Sequence, residues 1–264
     1  MSLVVTADDL GLSAGVSRGI LESHRRGIVR STSLLVTFPS SEEAAALARA
    51  ERDLEIGLHL DVVGGSPVSD PAAVPSLCDE DGRFYPLPAF TRRLFTGRVR
   101  LDQLATELRA QVLRARSWGV PAVAWDSHRH VHLMPPVSRV VARLARELDA
   151  RWVRRGRAPR MRRQLRTASL HAASVVAELS YRGIPGSTWY LDLTSHRPRL
   201  DPAGVALLAA YGGLGELSAH PGYVDDDLRR RDGLVHERDD DLRLLTDPLL
   251  RTALGSDGVV WRVR

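Results

Sequence analysis

Short apolar runs alternate along the chain with longer stretches in which apolar side chains recur every three or four positions. The short runs predict strands at Leu3–Ala7, Thr32–Phe38, Glu55–Leu60, Ala122–Asp126, Trp152–Arg154, Thr188–Leu193, Glu216–Ala219 and Val259–Val263. The amphipathic stretches predict helices at Ala14–Arg26, Ser41–Ala50, Leu101–Trp118, Val137–Ala150, Ser169–Tyr181, Pro202–Ala210 and Asp240–Leu254. In the third of these, Leu101, Leu104, Leu108, Val112 and Ala115 fall on one helical face. Such alternation predicts an α/β protein with a parallel sheet. At 264 residues it points to a single closed or nearly closed, TIM-barrel-like (β/α) barrel spanning residues 1–264. Two stretches break the rhythm. Residues 61–100, rich in Pro and Gly, are too long for a simple connection and read as an insertion or cover. Arg151–Arg166 carries eight arginines.

Composition narrows the chemistry. The chain is 44% hydrophobic, enough for a substantial core, and has 37 basic side chains against 32 acidic ones, a formal charge of +5. Every basic side chain is Arg; Lys and Asn are absent and Ile occurs only at 20, 28, 56 and 184, the imprint of a GC-rich coding sequence. Without Lys, Schiff-base and lysine-nucleophile mechanisms are excluded. Cys78 is the only cysteine, which excludes a disulfide scaffold and cysteine-based zinc sites. No apolar run approaches the roughly 20 residues of a membrane span, and the first residues lack a signal-peptide pattern, so a cytoplasmic protein is expected. The arginine cluster has no interleaved aromatics after Trp152, and aspartates at 225–227 and 239–241 offset it, so no nucleic-acid partner is expected.

Carboxylates and imidazoles collect where the predicted strands end: Asp8 and Asp9 after the first, His59 in the third, Asp126 and then His128, His130 and His132 after the fourth, His220 after the seventh. In a parallel barrel these ends share one face, where active sites are built. Alone, each piece has a plain reading, such as a helix cap for Asp9, a core histidine for His59, or surface polarity for the histidine run. Together they supply what a metallohydrolase needs. A carboxylate and two neutral imidazoles hold a divalent ion with open positions, and a second carboxylate takes a proton from water. Adjacent aspartates diverge on extended backbone and can divide those tasks, while a histidine on the opposite rim protonates a leaving amine.

At these residues the sequence resembles the YdjC-like carbohydrate deacetylase family. The matching segments are Thr6-Ala7-Asp8-Asp9-Leu10-Gly11, Gly57-Leu58-His59-Leu60, Asp126-Ser127-His128-Arg129-His130-Val131-His132 with Pro135, and Ala219-His220-Pro221-Gly222-Tyr223. Arg238-Asp239-Asp240-Asp241-Leu242 resembles the family's Arg-x-x-Glu-Leu, and Leu10 departs from its common Phe. The resemblance implies a distorted (β/α) barrel of the NodB-like deacetylase superfamily, often a homodimer, acting on a small acetylated sugar or glycoside. It implies Asp9, His59 and His128 as ligands of one divalent metal ion, zinc or magnesium, with the two imidazoles favouring zinc on ligand softness. It also implies Asp8 as general base, His220 as general acid, and an arginine beside the catalytic carboxylate, for which Arg154 is the candidate over its neighbour Arg155. Asp126, His130, His132 and Tyr223 are the remaining mouth residues expected to meet substrate, with Phe84, Tyr85 or Tyr223 as sugar platforms.

Two other functions use the same residues. The metal centre could hydrolyse a non-carbohydrate amide or ester, although a His-x-His pair after the fourth strand and the absence of Lys set it apart from amidohydrolases. Alternatively, the chain is an arginine-rich binding protein whose histidines are structural.

Overall fold

A computed structural model describes residues 2–157, 175–196, 200–255 and 258–263. Its strands are β1 (Ser2–Leu10), β2 (Ser31–Leu34), β3 (Glu55–Leu60), β4 (Ala124–Ser127), β5 (Trp152–Val153), β6 (Trp189–Asp192), β7 (Leu214–Ala219) and β8 (Val259–Val260). All pair in parallel, in the order β5-β4-β3-β2-β1-β7-β6, with β8 beside the start of β1. Read around, that is the sequential ring of a barrel, open between β5 and β6. Two backbone bonds span the gap: Val153 N–H to the Pro185 carbonyl, 3.0 Å, and Tyr190 N–H to the Arg157 carbonyl, 2.7 Å. The result is a curled parallel half-barrel sheet, consistent with a distorted barrel, with helices packed against it.

Strand alternation decides what fills it. Leu3, Val5, Ala7, Leu58, Leu60, Trp125, Val153, Leu217 and Ala219 face outward into the core shared with the helices. The intervening residues face inward. Near the strand starts Val4, Ala124 and Trp152 form an apolar plug. Above it Thr6, Asp8, His59, Asp126, Arg154 and Glu216 are all buried, so the upper interior is polar and charged.

The helices differ from expectation where capping chemistry intervenes. Pro135 stands at the start of the helix Pro135–Glu147, two residues before the expected boundary. The expected helix Asp240–Leu254 is two helices, His236–Leu245 and Pro248–Leu254, because Asp247 caps the second and Pro248 opens it. Of the expected helix Ser169–Tyr181, residues 169–174 fall outside the described residues; 175–180 are helical. The arginine-rich stretch also lies outside them from residue 158 onward. Residues 61–100 contain one short turn, Pro71–Ala73, and one helix, Leu87–Phe95, and are tied to the helix Leu101–Ser117, where Glu107 accepts from Val68 and Ser69 N–H and Gln103 from Ser76 N–H. Phe84 is buried there, and Tyr85 lies under Arg93, whose guanidinium carbon is 4.2 Å from its ring centroid, so both aromatics serve local packing.

One contact places the segment after β7. The helix Ala14–Arg26 meets it through two glycines: a Cβ on Gly15 would lie 2.4 Å from the Tyr223 carbonyl oxygen, and one on Gly19 2.5 Å from Gly222 Cα. Because both obstacles are backbone, Gly19→Ala is expected to lower the unfolding free energy by about 1 kcal/mol or more, despite Ala's better helix propensity. The urea midpoint measures this, and an unchanged or higher midpoint would show that the segment yields.

Candidate active site

Asp8 and Asp9 end up in different surroundings because the backbone breaks register between them. The pairing of β1 with β2 shifts between Ala7 and Leu10, and Asp9 takes a left-handed conformation, φ 71°. Neither carboxylate caps the following helix; Ser13 does, its Oγ accepting from Val16 N–H.

Asp9 faces two histidines. Its Oδ1 lies 3.0 Å from His128 Nδ1 and 3.4 Å from His59 Nε2. Its Oδ2 accepts from Arg238 Nη2 at 2.7 Å. Burial opposes ionisation, but His128 and Arg238 hold the Asp9 carboxyl well below the usual carboxylate range. His59 is oriented from behind: its Nδ1 bonds Asp126 Oδ1 at 2.7 Å, leaving Nε2 toward Asp9. His128 opens a tight turn, His128–Leu133, rather than the extended run expected, with Arg129 and His130 both left-handed at φ 54° and 55°.

Asp8 is clasped by Arg154 through two bonds, Nη1 to Oδ2 at 2.6 Å and Nη2 to Oδ1 at 2.8 Å. The same guanidinium reaches Asp126 Oδ2 at 2.8 Å and Glu216 Oε1 at 2.9 Å. Arg155 turns the other way and donates to the carbonyls of Val153, Tyr181 and Ile184. Across the mouth, His220 Nε2 is 4.0 Å from Asp8 Oδ2. Its Nδ1 lies 2.7 Å from Thr194 Oγ1, and that hydroxyl donates to Asp241, which also accepts the His220 N–H at 2.9 Å.

The other expected mouth residues divide. Asp126 is wholly buried and committed to His59, Ser33, Arg154 and Arg262, so its place is behind the histidine and not against a substrate. His132 is likewise buried, bonded to Ser127 Oγ at 2.6 Å and set beneath Tyr181. Tyr223 points its hydroxyl to Glu22, on the outer side of the Ala14–Arg26 helix. His130 stays at the mouth, Nε2 3.3 Å from the Tyr190 hydroxyl and Nδ1 without a partner among the described residues. Burial and Arg154 push its pKa down to about 4, so the ring is neutral at neutral pH. Arg238, Glu216 and Arg262 contact this network, although the sequence reading assigns them no place in the site. The signal that could find them is a charged residue at an inward or helix-buried position, together with the Arg238 motif.

Ligand atoms of Asp9, His59 and His128 lie within 4.8 Å of one another. Two imidazole nitrogens converging on one carboxylate oxygen, with a carboxylate behind His59, fit a divalent ion. Asp8, His59 and Asp126 also cluster, but Arg154 already bridges their carboxylates, so a cation there would meet a buried positive charge. No helix among the described residues is long and apolar enough to cross a membrane.

The sequence profile of the YdjC-like protein family matches residues 2–256. The chain belongs to the YdjC-like family. Among relatives of this YdjC-like chain, the carbohydrate deacetylase of Geobacillus stearothermophilus is 34% identical over 258 residues, covering 97% of this chain and 94% of that protein. The chitooligosaccharide deacetylase of Serratia marcescens is 30% identical over 257 residues, covering 97% and 95%. A solved structure from Enterococcus faecalis V583, of a protein whose name assigns it to cellobiose-phosphate cleavage, superposes with a TM-score of 0.82 at 25% identity, covering 99% and 97%.

Burial alone would lower the His59 pKa, but Asp126, then Asp9, raise it from 6.5 to about 10. In the metal-free YdjC-like protein this pairing stabilises the fold fully below pH 6.5, and the contribution is lost as pH rises through about 10. A metal ion at Nε2 must displace that proton, so affinity is expected to rise with pH across this interval, with proton release on binding. Calorimetric zinc titration in buffers of different ionisation enthalpy checks it; uptake without proton release would refute the protonated His59.

Proposed function

We propose that this chain is a metal-dependent hydrolase that removes the N-acetyl group from an acetylated sugar or glycoside and releases acetate. The observation that carries this reading is the buried convergence of Asp9, His59 and His128 beside two further groups suited to proton transfer, Asp8 and His220. The relatives named as carbohydrate and chitooligosaccharide deacetylases support a sugar as the acetyl carrier.

In this reading Asp9, His59 and His128 hold one divalent ion. When bound, it supplies Lewis acidity toward an amide carbonyl and makes water more acidic. Two nitrogen donors and one oxygen favour zinc over magnesium. Asp8 accepts the proton of the attacking water, and Arg154 fixes its carboxylate by two parallel bonds, so that the base does not rotate between turnovers. His220 delivers a proton from Nε2 to the departing amine, while its Nδ1 is held by Thr194 Oγ1, whose own hydroxyl donates to Asp241. Water therefore adds its oxygen to the acetyl carbon as the C–N bond breaks, and one proton reaches the amine. His130, neutral and held through Nε2 against the Tyr190 hydroxyl, lines the site beside these groups.

Asp8→Asn is expected to reduce acetate release by about 100- to 10,000-fold with zinc content unchanged. Acetate assayed over a panel of N-acetylated sugars gives the measurement; near-normal release would remove Asp8 from the base role. His220→Ala should cost a similar factor on an amide but much less on an aryl acetate, whose leaving group needs no proton. Equal losses on both would contradict an acid role.

A further inference from the structure

Arg262 lies beyond the residues that the family profile matches, yet its side chain reaches the centre of the barrel. The backbone around it is tied down. Val259 and Val260 pair with Leu3 and Val4, Trp261 Nε1 donates to the Asp53 carbonyl at 2.9 Å, and Val263 N–H donates to Glu55 Oε2 at 2.9 Å. From there the guanidinium crosses the strand starts of β2 and β3. Nε donates to Glu55 Oε1 at 2.6 Å and Nη2 to the Thr32 carbonyl at 2.8 Å. Nη1 reaches Ser33 Oγ at 3.1 Å and Asp126 Oδ2 at 3.2 Å. The path exists because residue 57 is glycine: a Cβ there would lie 2.4 Å from Nη2.

We propose that Arg262 is a positioning residue for the Asp126–His59 pair, and through it for the metal ion; this rests on the metal-centre reading above. Asp126 Oδ2 receives Ser33 Oγ at 2.5 Å, Arg154 Nη2 at 2.8 Å and Arg262 Nη1. With Oδ2 held from three sides, Oδ1 faces His59 Nδ1, which fixes the proton there and turns Nε2 toward Asp9. Without Arg262, the Thr32 carbonyl loses a buried donor and Asp126 is held on Oδ2 only by Ser33 and Arg154. With one of its three Oδ2 donors gone that carboxylate is then free to turn about the remaining two, and His59 loses its stop.

The test compares Arg262→Met, which keeps the stem and removes every donor, with Trp261→Phe, which loosens the same segment without touching Asp126. Two readouts serve: zinc affinity by calorimetry, and the His59 Nδ1–H signal by NMR in the metal-free protein. Arg262→Met is expected to weaken zinc binding about tenfold or more and to shift or broaden the His59 signal, since removing support behind a metal ligand commonly costs roughly 10- to 100-fold. Trp261→Phe should leave both unchanged. A folded Arg262→Met protein with wild-type affinity and an unmoved signal overturns the proposal, as does an equal effect from Trp261→Phe. If Arg262→Met does not fold, Arg262→Gln, whose single shorter amide cannot serve Glu55, Thr32 and Asp126 together, carries the same expectations. Neither readout uses a substrate. Failure to turn over any acetylated sugar would therefore defeat the functional reading and leave this one standing on the NMR signal.

Discussion

The site depends on a single buried guanidinium. Arg154 is fully enclosed and bonded to Asp8, Asp126 and Glu216 at 2.6–2.9 Å, joining carboxylates from β1, β4 and β7. Without that charge, three inward-facing acids would repel one another in a medium that screens them poorly. With it, each strand end has a fixed partner and the barrel interior is held together by ion pairs over an apolar plug. Glu216 shows what the arrangement costs. Burial raises its pKa although Arg154 opposes, and Oε2 has no partner among the described residues. A buried water is the ordinary occupant of such a place.

Around this centre the aspartates are separated by a backbone device rather than by side-chain length. The irregularity at Asp9 sends neighbouring carboxylates to different cations, Asp8 to Arg154 and Asp9 to Arg238 and the histidines. A second strained turn, at Arg129 and His130, lets three histidines in five residues take three tasks. His128 joins Asp9, His130 stays at the mouth, and His132 packs into the scaffold. Left-handed conformations at non-glycine residues cost energy and persist where surrounding contacts impose them.

Much of this is legible in the sequence, and the exceptions have physical reasons. Asp8, Asp9, His59, His128 and His220 can be gathered because parallel strand ends converge, a property of topology alone. The choice between Arg154 and Arg155 follows from alternation, since Trp152 and Arg154 point inward and Val153 outward. Sequence places Asp126 and His132 at the substrate because they sit close to His128, but proximity along the chain does not say which way a tight turn sends a side chain. Tyr223, expected at the mouth beside His220, instead turns its hydroxyl to Glu22. Arg262 is the hardest to read. Its partners, Thr32, Ser33, Glu55 and Asp126, are at least 136 residues away along the chain, and only the assembled sheet brings them to it.

The absence of lysine acquires a meaning inside the barrel. Arg154, Arg238 and Arg262 are each fully or almost fully buried, and each is paired with acid groups. A lysine so placed would shed its proton readily under desolvation, whereas guanidinium does not within any range the fold survives. The cationic half of this interior is therefore constant, whatever the surroundings. Any acid–base responsiveness of the cavity belongs to its carboxylates and imidazoles, the groups to which the proposed reaction assigns its proton transfers.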